Sequence, residues 1–293
     1  MLSRKQIHAY RENGFLVLRA FISRDEIDRL RKAVDRMVAG APVKRGAEHD
    51  SLDRPVNHPK DFSFTIRNRG RHVLNRISAP LSHSMTMLRA YGNPKLLGAV
   101  ENLYGPDFVP FAESIVIKLP ENGAAFAWHQ DGNFKTGVQR ERGVNFGIYL
   151  YRSTEENGCL YVIPQSHKLG KVDLKTMVET HGQHLPGAIP VPAMPGDVVV
   201  HSRNLVHGSF TNPSKALRVT VYFGYHVRQT VEGAFTPEHI EKRAKVIPLS
   251  VRVRAESGLF PGETRYCYQA LQTDRPFALT EQAELLRTPP LAL

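Results

Sequence analysis

Cysteine is nearly absent from this 293-residue chain, which has only Cys159 and Cys267. That excludes a disulfide framework and a thiolate metal cluster, and it points to a reducing compartment, the cytoplasm. No apolar run approaches the roughly 18 residues that a membrane span needs. The polar start, Met1-Leu2-Ser3-Arg4-Lys5-Gln6, has no signal-peptide core, so neither membrane insertion nor secretion is expected. Acidic residues are in deficit, 28 against 39 Lys and Arg, for a net charge of +11. The deficit is local: residues 1–89 hold 18 basic and 9 acidic side chains, and the remainder 21 and 19. No basic stripe with interleaved aromatics, zinc-finger spacing or RNA-binding signature accompanies it, which argues against nucleic acid. What remains is a solvated basic face, or one that steers small organic anions. Glycine-rich phosphate loops and internal repeats are also missing, so neither a dinucleotide site nor a repeat architecture is indicated.

What is present reads as an ordinary globular chain, 41% hydrophobic and 23% charged. Residues 3–13 predict a short helix stopped by Gly14, followed by a strand over 15–18. Ser23-Arg24-Asp25-Glu26 reads as a capping box. It opens a helix with Ile27, Leu30, Val34 and Met37 on one face. Residues 40–75 form a long connection rich in Gly, Pro and charge, and within it 55–75 is a lid candidate in which Arg67 or Arg69 is placed to meet a substrate anion. Asn93-Pro94 opens another helix. From about residue 108 the period becomes that of strands, over 111–119, 126–131, 144–151, 159–163, 189–191, 197–201 and 217–225. A helix or excursion is expected within 171–188, a helix over 237–246 and a strand over 249–253. Many short strands with Gly and Pro turns argue for a sandwich or barrel.

The chemistry concentrates in Trp128-His129-Gln130-Asp131. In an extended strand residues i and i+2 face one side, so His129 and Asp131 enter the same cavity. His207 follows 78 positions after His129, beyond a Pro195-Gly196-Asp197 turn and a short strand. Two imidazoles and one carboxylate form the ligand set of non-haem Fe(II) oxygenases, which leaves metal positions open. Zinc also accepts such a set. Arg218, eleven residues past His207 on an apolar strand, is suited to clamp a cosubstrate carboxylate through two parallel hydrogen bonds, and this favours iron with a 2-oxoacid. Ser209 can add a hydroxyl. His181 and His184 lack a third partner, and His201 reads as packing or support for His207.

These segments resemble the phytanoyl-CoA dioxygenase family of iron and 2-oxoglutarate-dependent oxygenases over residues 5–230. The resemblance rests on Trp128-His129-Gln130-Asp131, Glu156-Asn157-Gly158-Cys159-Leu160, Ile163-Pro164-Gln165-Ser166-His167-Lys168, Pro195-Gly196-Asp197, and His207-Gly208-Ser209 with Arg218. It implies a mainly β chain with flanking helices, a double-stranded β-helix (jelly roll, cupin-like). The expected organisation is one domain over 1–293, with helical support and a lid in 1–107, the jelly-roll core in 108–230 and a C-terminal extension in 231–293. It implies that His129, Asp131 and His207 bind Fe(II), with 2-oxoglutarate and O2 as cosubstrates. Arg218 and Ser209 would hold the far carboxylate of the oxoacid, assisted by a polar residue on the preceding strand, for which Lys118 and Glu113 are the candidates. His167 and Lys168 are read as holding a loop.

The expected reaction is hydroxylation of a C–H bond of a small molecule, an anion among the candidates, with release of succinate and CO2. Halogenating relatives carry a small residue in place of the carboxylate ligand, so Asp131 argues against halogenation. Desaturation, epoxidation and rearrangement share the same oxidant and stay open. A non-catalytic cupin-like sensor and a zinc hydrolase are the competing classes. Substrate candidates by position are Glu113, Asn133, Phe134, Asn145, Tyr149, Arg203, Asn204 and Tyr225, the last following Phe223 on the Arg218 strand. The residues past 233 are expected to cover the pocket or to build a subunit contact in a monomer or homodimer.

Overall fold

The computed structural model describes residues 1–67, 70–131, 142–270 and 282–291. Helix α1 (Arg4–Asn13) is opened by Ser3 and Gln6, which cap each other's backbone N–H, and it leads directly into β1 (Phe15–Leu18). Helix α2 (Arg24–Ala39) starts where the Ser23 hydroxyl accepts from the Glu26 N–H. The expected return half of that capping box is replaced: Glu26 turns inward to Arg254. The long connection that follows contains a hairpin, β2 (Phe62–Ile66) and β3 (His72–Ser78), where only a lid was expected. Helices α3 (Pro80–His83), α4 (Met85–Tyr91) and α5 (Pro94–Tyr104) come next, α5 capped by the Asn93 side chain.

The strand-rich half runs β4 (Phe108–Lys118), β5 (Phe126–His129), β6 (Gly143–Tyr149), β7 (Leu160–Val162), α6 (Leu174–His181), β8 (Ile189–Val191), β9 (Val198–Ser202), β10 (His207–Ser209) and β11 (Arg218–Val227). Helices α7 (Pro237–Ala244), α8 (Val246–Glu256) and α9 (Gln282–Arg287) close the described chain. The strand expected over 249–253 lies inside α8. With this share of helix the fold is mixed α/β, not mainly β.

Among the described residues the strands form two antiparallel sheets. One has seven strands in the order β1-β9-β6-β11-β4-β3-β2, the other four in the order β5-β10-β7-β8. The large sheet has two different faces because side chains alternate along each strand. Ile115 and Ile117 of β4, Phe146 and Ile148 of β6, and Val219, Val221, Phe223 and Tyr225 of β11 join α2, α4, α5 and α8 in one apolar core. Fully burying each of these side chains contributes about 1.5–3 kcal/mol. The opposite positions, Ser114, Asn145, Arg218 and Tyr222 among them, line a cavity of ≈ 250 Å³ that also touches the small sheet. The sequence period thus decides which residues stabilise and which are free for chemistry.

Candidate active site

The small sheet brings the two histidines together. β5 and β10 pair antiparallel with His129 opposite His207, so two imidazoles 78 residues apart in sequence have ring centroids 4.1 Å apart. Asp131 follows two residues after His129, held by its backbone N–H to the Arg203 carbonyl (2.8 Å). Its Oδ1 lies 3.7 Å from His129 Nε2 and its Oδ2 3.6 Å from His207 Nε2. The ligand atoms of the three side chains all lie within 4.8 Å of one another. This is the only such convergence of His, Cys, Asp and Glu found among the described residues.

Local hydrogen bonds aim the ligands. His129 Nδ1 meets the Ala127 carbonyl at 2.7 Å, and His207 Nδ1 the Leu205 carbonyl at 2.9 Å. A carbonyl only accepts, so each Nδ1 carries the proton and each Nε2 presents a lone pair to the centre. Asn145 donates from Nδ2 to Asp131 Oδ2 (2.5 Å), and its own Oδ1 accepts from Arg203 Nη1 (3.0 Å). Burial would raise the Asp131 carboxyl, but the fields of His207, Arg203, His129 and His201 hold it well below the ordinary carboxylate range. Burial, His129 and His201 push His207 well below the ordinary imidazole range. A charged carboxylate beside a neutral imidazole suits a divalent cation: both groups are in the protonation state that metal binding requires. The donor set therefore fits Fe(II) on its own chemistry.

A second group of polar side chains sits where β11 and β4 begin and end. Arg218 opens β11, opposite Lys118 at the end of β4. Arg218 Nη1 donates to the Gly158 carbonyl (2.5 Å), while its Nε has no hydrogen-bond partner among the described residues. Gly158 makes this contact possible: its φ is +72°, and a Cβ there would fall 2.4 Å from the Phe210 carbonyl oxygen. Lys118 is fully buried and donates to that same Phe210 carbonyl. Burial, reinforced by Arg218 alongside, drives its amine down to about 6. Ser209 ends β10 on the cavity wall. The Tyr149 ring stands 5.7 Å from the Arg218 guanidinium carbon, and among the described residues its hydroxyl, like that of Thr220, makes no hydrogen bond of ordinary geometry. Unpartnered buried donors converging on one spot are what an oxyanion would satisfy.

Other expected site residues lie elsewhere. Glu113 points to the opposite face of β4 and pairs with Arg243 of α7, both side chains buried. Tyr225 is in the helix-side core, stacked on Tyr91 (5.3 Å) and edge-on to Phe108 (5.6 Å). Asn204 faces the loop, donating to the His167 carbonyl (2.7 Å) while Gln130 Nε2 donates to its backbone carbonyl (2.7 Å). Asn145 and Arg203 do line the cavity. Asn133, Phe134 and Arg69 lie outside the described residues. Arg67 donates to the Asn122 carbonyl (3.1 Å), at the turn after β4. His167 Nε2 meets the Arg11 carbonyl (3.0 Å) and Lys168 pairs with Glu12 (3.0 Å), so this loop is tied to α1. Tyr222, Ser114 and Arg76 are cavity residues that the sequence reading passed over. For Tyr222 the signal was there: it is four residues from Arg218 and shares its face, whereas Tyr225 is seven away and cannot.

The phytanoyl-CoA dioxygenase (PhyH) family model matches residues 10–220. The chain belongs to the phytanoyl-CoA dioxygenase family. It is similar to phytanoyl-CoA dioxygenase domain-containing protein 1 of Bos taurus, with 24% identity over 289 residues, covering 81% of this chain and 94% of that protein. The ectoine dioxygenase of Sphingopyxis alaskensis is 25% identical over 250 residues, covering 77% and 76%. Among solved structures, EctD from S. alaskensis with 2-oxoglutarate and 5-hydroxyectoine superposes with TM-score 0.64 at 24% identity, covering 78% of this chain and 77% of that one, and shares its fold. AviO1 from Streptomyces viridochromogenes Tue57 superposes with TM-score 0.60 at 26% identity, covering 77% and 96%. With its facial triad of His129, Asp131 and His207, this member of the phytanoyl-CoA dioxygenase family is a non-haem Fe(II) and 2-oxoglutarate-dependent oxygenase that acts on a C–H bond. No helix among the described residues is long and apolar enough to cross a membrane.

Proposed function

We propose that the enzyme hydroxylates an unactivated C–H bond of a small, anionic molecule in the cytoplasm. Substrate, O2 and 2-oxoglutarate become hydroxylated substrate, succinate and CO2, with one oxygen atom entering the alcohol and the other the succinate carboxylate. We assign His129 Nε2, Asp131 and His207 Nε2 as the iron ligands. When bound, iron supplies the redox chemistry that couples oxoacid decarboxylation to C–H oxidation. Arg218 receives the distal carboxylate of 2-oxoglutarate in a two-point contact, with Lys118, Ser209 and Tyr149 around it. Tyr222 and Ser114 form the wall between that end and Asn145. The single observation that carries this reading is the co-location in one cavity of a two-histidine, one-carboxylate cluster and a buried arginine with an unpartnered Nε.

On this reading the two sheets are the halves of a double-stranded β-helix. The chain acts as one catalytic unit, with residues 1–107 as support, 108–230 as core and 231–293 as an added layer, working as a monomer or homodimer. The experiment is a metabolite panel scored for substrate-dependent succinate release from protein loaded anaerobically with Fe(II). Turnover is expected with one chemical class and should vanish in D131A along with Fe(II) binding. Full turnover in D131A would remove the proposed ligand set. R218M should raise the 2-oxoglutarate requirement by at least about tenfold, the loss of a charge-assisted contact.

A further inference from the structure

The cavity has a second cationic end. Three arginines line its wall, Arg76, Arg203 and Arg218, against one carboxylate, Asp131, among the described residues. Arg218 stands at the start of β11. Arg203 reaches the cavity beside Gly224, six residues further along the strand, or about 20 Å of extended chain. There a Cβ on Gly224 would lie 2.7 Å from Asn145 Oδ1 and 3.4 Å from Arg203 Nη1, so the missing side chain is what leaves room for the pair.

Arg203 is 6% exposed, with its guanidinium carbon 4.4 Å from the centre of the Phe111 ring. Its side chain makes one hydrogen bond among the described residues, from Nη1 to Asn145, and no ion pair within 4 Å. Among the described residues the negative charge near it is that of Asp131, reached through Asn145. A cation bound by Asp131 neutralises that charge. The guanidinium then stands in a low-dielectric site with no counter-ion among the described residues, a costly state unless an anion arrives. The 2-oxoglutarate carboxylate cannot serve if it is held by Arg218 at the other end.

We propose that Arg203 is the specificity-determining residue for the primary substrate and binds an oxyanion on it, a carboxylate or phosphoryl group, so that the substrate is anchored at the end of the cavity opposite Arg218. The proposal rests on the oxygenase reading and gives its substrate a chemical class. A neutral analogue leaves Arg203 buried and unpaired, so the enzyme discriminates against amides and esters of its substrate by more than lost attraction. The planar fork of arginine suits either oxyanion, and Phe111 beneath it fixes the plane.

The test is calorimetric titration of sodium sulfate, and separately of sodium acetate, into protein loaded with Fe(II) and 2-oxoglutarate under nitrogen at constant ionic strength. One saturable oxyanion per chain is expected, without release of 2-oxoglutarate. The tighter of the two probes separates a phosphoryl from a carboxylate substrate. R203M should weaken it by about tenfold or more, and R203K by less, each changing oxyanion affinity by more than it changes 2-oxoglutarate affinity. R203Q, which keeps an amide near Asn145, replaces R203M if the latter does not fold. Oxyanion binding that is absent, that is unaltered in R203M or R203Q, or that displaces 2-oxoglutarate overturns the proposal. Loss of 2-oxoglutarate and Fe(II) binding in the wild-type protein overturns the parent reading with it. Intact 2-oxoglutarate binding without an oxyanion site overturns this inference alone.

Discussion

Lys118 is a buried amine with an arginine beside it, and both conditions favour its neutral form. In the folded protein without ligand it keeps a proton only below about pH 6. Unfolded, it keeps one up to its ordinary value of about 10.4. Between those limits the unfolded chain binds more protons, so stability rises with pH across that window. A carboxylate docked against Arg218 reverses the local field and raises the Lys118 value. Binding of 2-oxoglutarate above pH 6 is then coupled to proton uptake, and its affinity falls as pH rises, by up to about tenfold per pH unit. Titration calorimetry of 2-oxoglutarate at pH 6, 7 and 8 in two buffers of different ionisation heat should show this uptake, and K118M should abolish it. An affinity with the same pH dependence in K118M would place the carboxylate elsewhere. Lys118 was in view from the sequence only beside Glu113, as a candidate implied by the family resemblance. Its register opposite Arg218 was not legible, because nothing local specifies which strands become neighbours.

Helix α8 shows where local reading fails. Its sequence, Val246-Ile247-Pro248-Leu249-Ser250-Val251-Arg252-Val253-Arg254, alternates β-branched and polar residues and suggests a strand. The buried positions Val246, Ile247, Leu249, Ser250 and Arg254 instead follow one helical face, three and four residues apart. Two of the five, Ser250 and Arg254, are polar, so hydrophobic periodicity reports the helix only in part. Arg254 is buried because it meets Glu26 of α2 in a two-point pair (2.6 and 3.2 Å), with Glu263 on its Nε (2.5 Å) and Asn93 donating to Glu26 (3.2 Å). The pair links elements 228 residues apart. R254M strands the buried Glu26 charge and should lose about 3–5 kcal/mol of stability, and E26Q, which leaves Arg254 its Glu263 partner, should lose less. Urea denaturation measures this. The double variant should lose less than the sum of the two, because no Glu26 charge is then left alone. Helices α1, α2 and α5 were legible because their caps and apolar stripes are written locally in Ser3, Ser23 and Asn93.

At the scale of the whole molecule, the strands were readable as a list but not as two sheets. β9 joins β1 to β6, and β11 joins β6 to β4, pairings made across long stretches of chain. The triad was legible because two of its members are neighbours in sequence, and the third stands beside a turn and ahead of an arginine. The far end, where Arg203 and Gly224 meet, is created by the sheet alone. Residues past 233 were expected at the pocket or a subunit contact. The described ones of α7 and α8 instead complete the helix-side layer: Arg243 pairs with Glu113, and Ile247 and Leu249 enter the main core. A chain ended at residue 231 should therefore lose its unique packing, bind a hydrophobic dye and lose near-ultraviolet dichroism while keeping far-ultraviolet signal. A cooperative unfolding transition of wild-type midpoint would contradict that role.

The two-faced large sheet also shapes how such an enzyme can change over generations. In β11, Val219, Val221, Phe223 and Tyr225 answer to the helices behind it, and Arg218 and Tyr222 to whatever molecule enters the cavity. Replacements at 114 and 222 can therefore retune substrate preference without touching the packed layer that keeps the chain folded. A single inserted or deleted residue within β11 does the reverse, turning Arg218 and Tyr222 into the packed layer at once. Descendants with new substrates should accumulate substitutions along these strands and confine length changes to the loops between them.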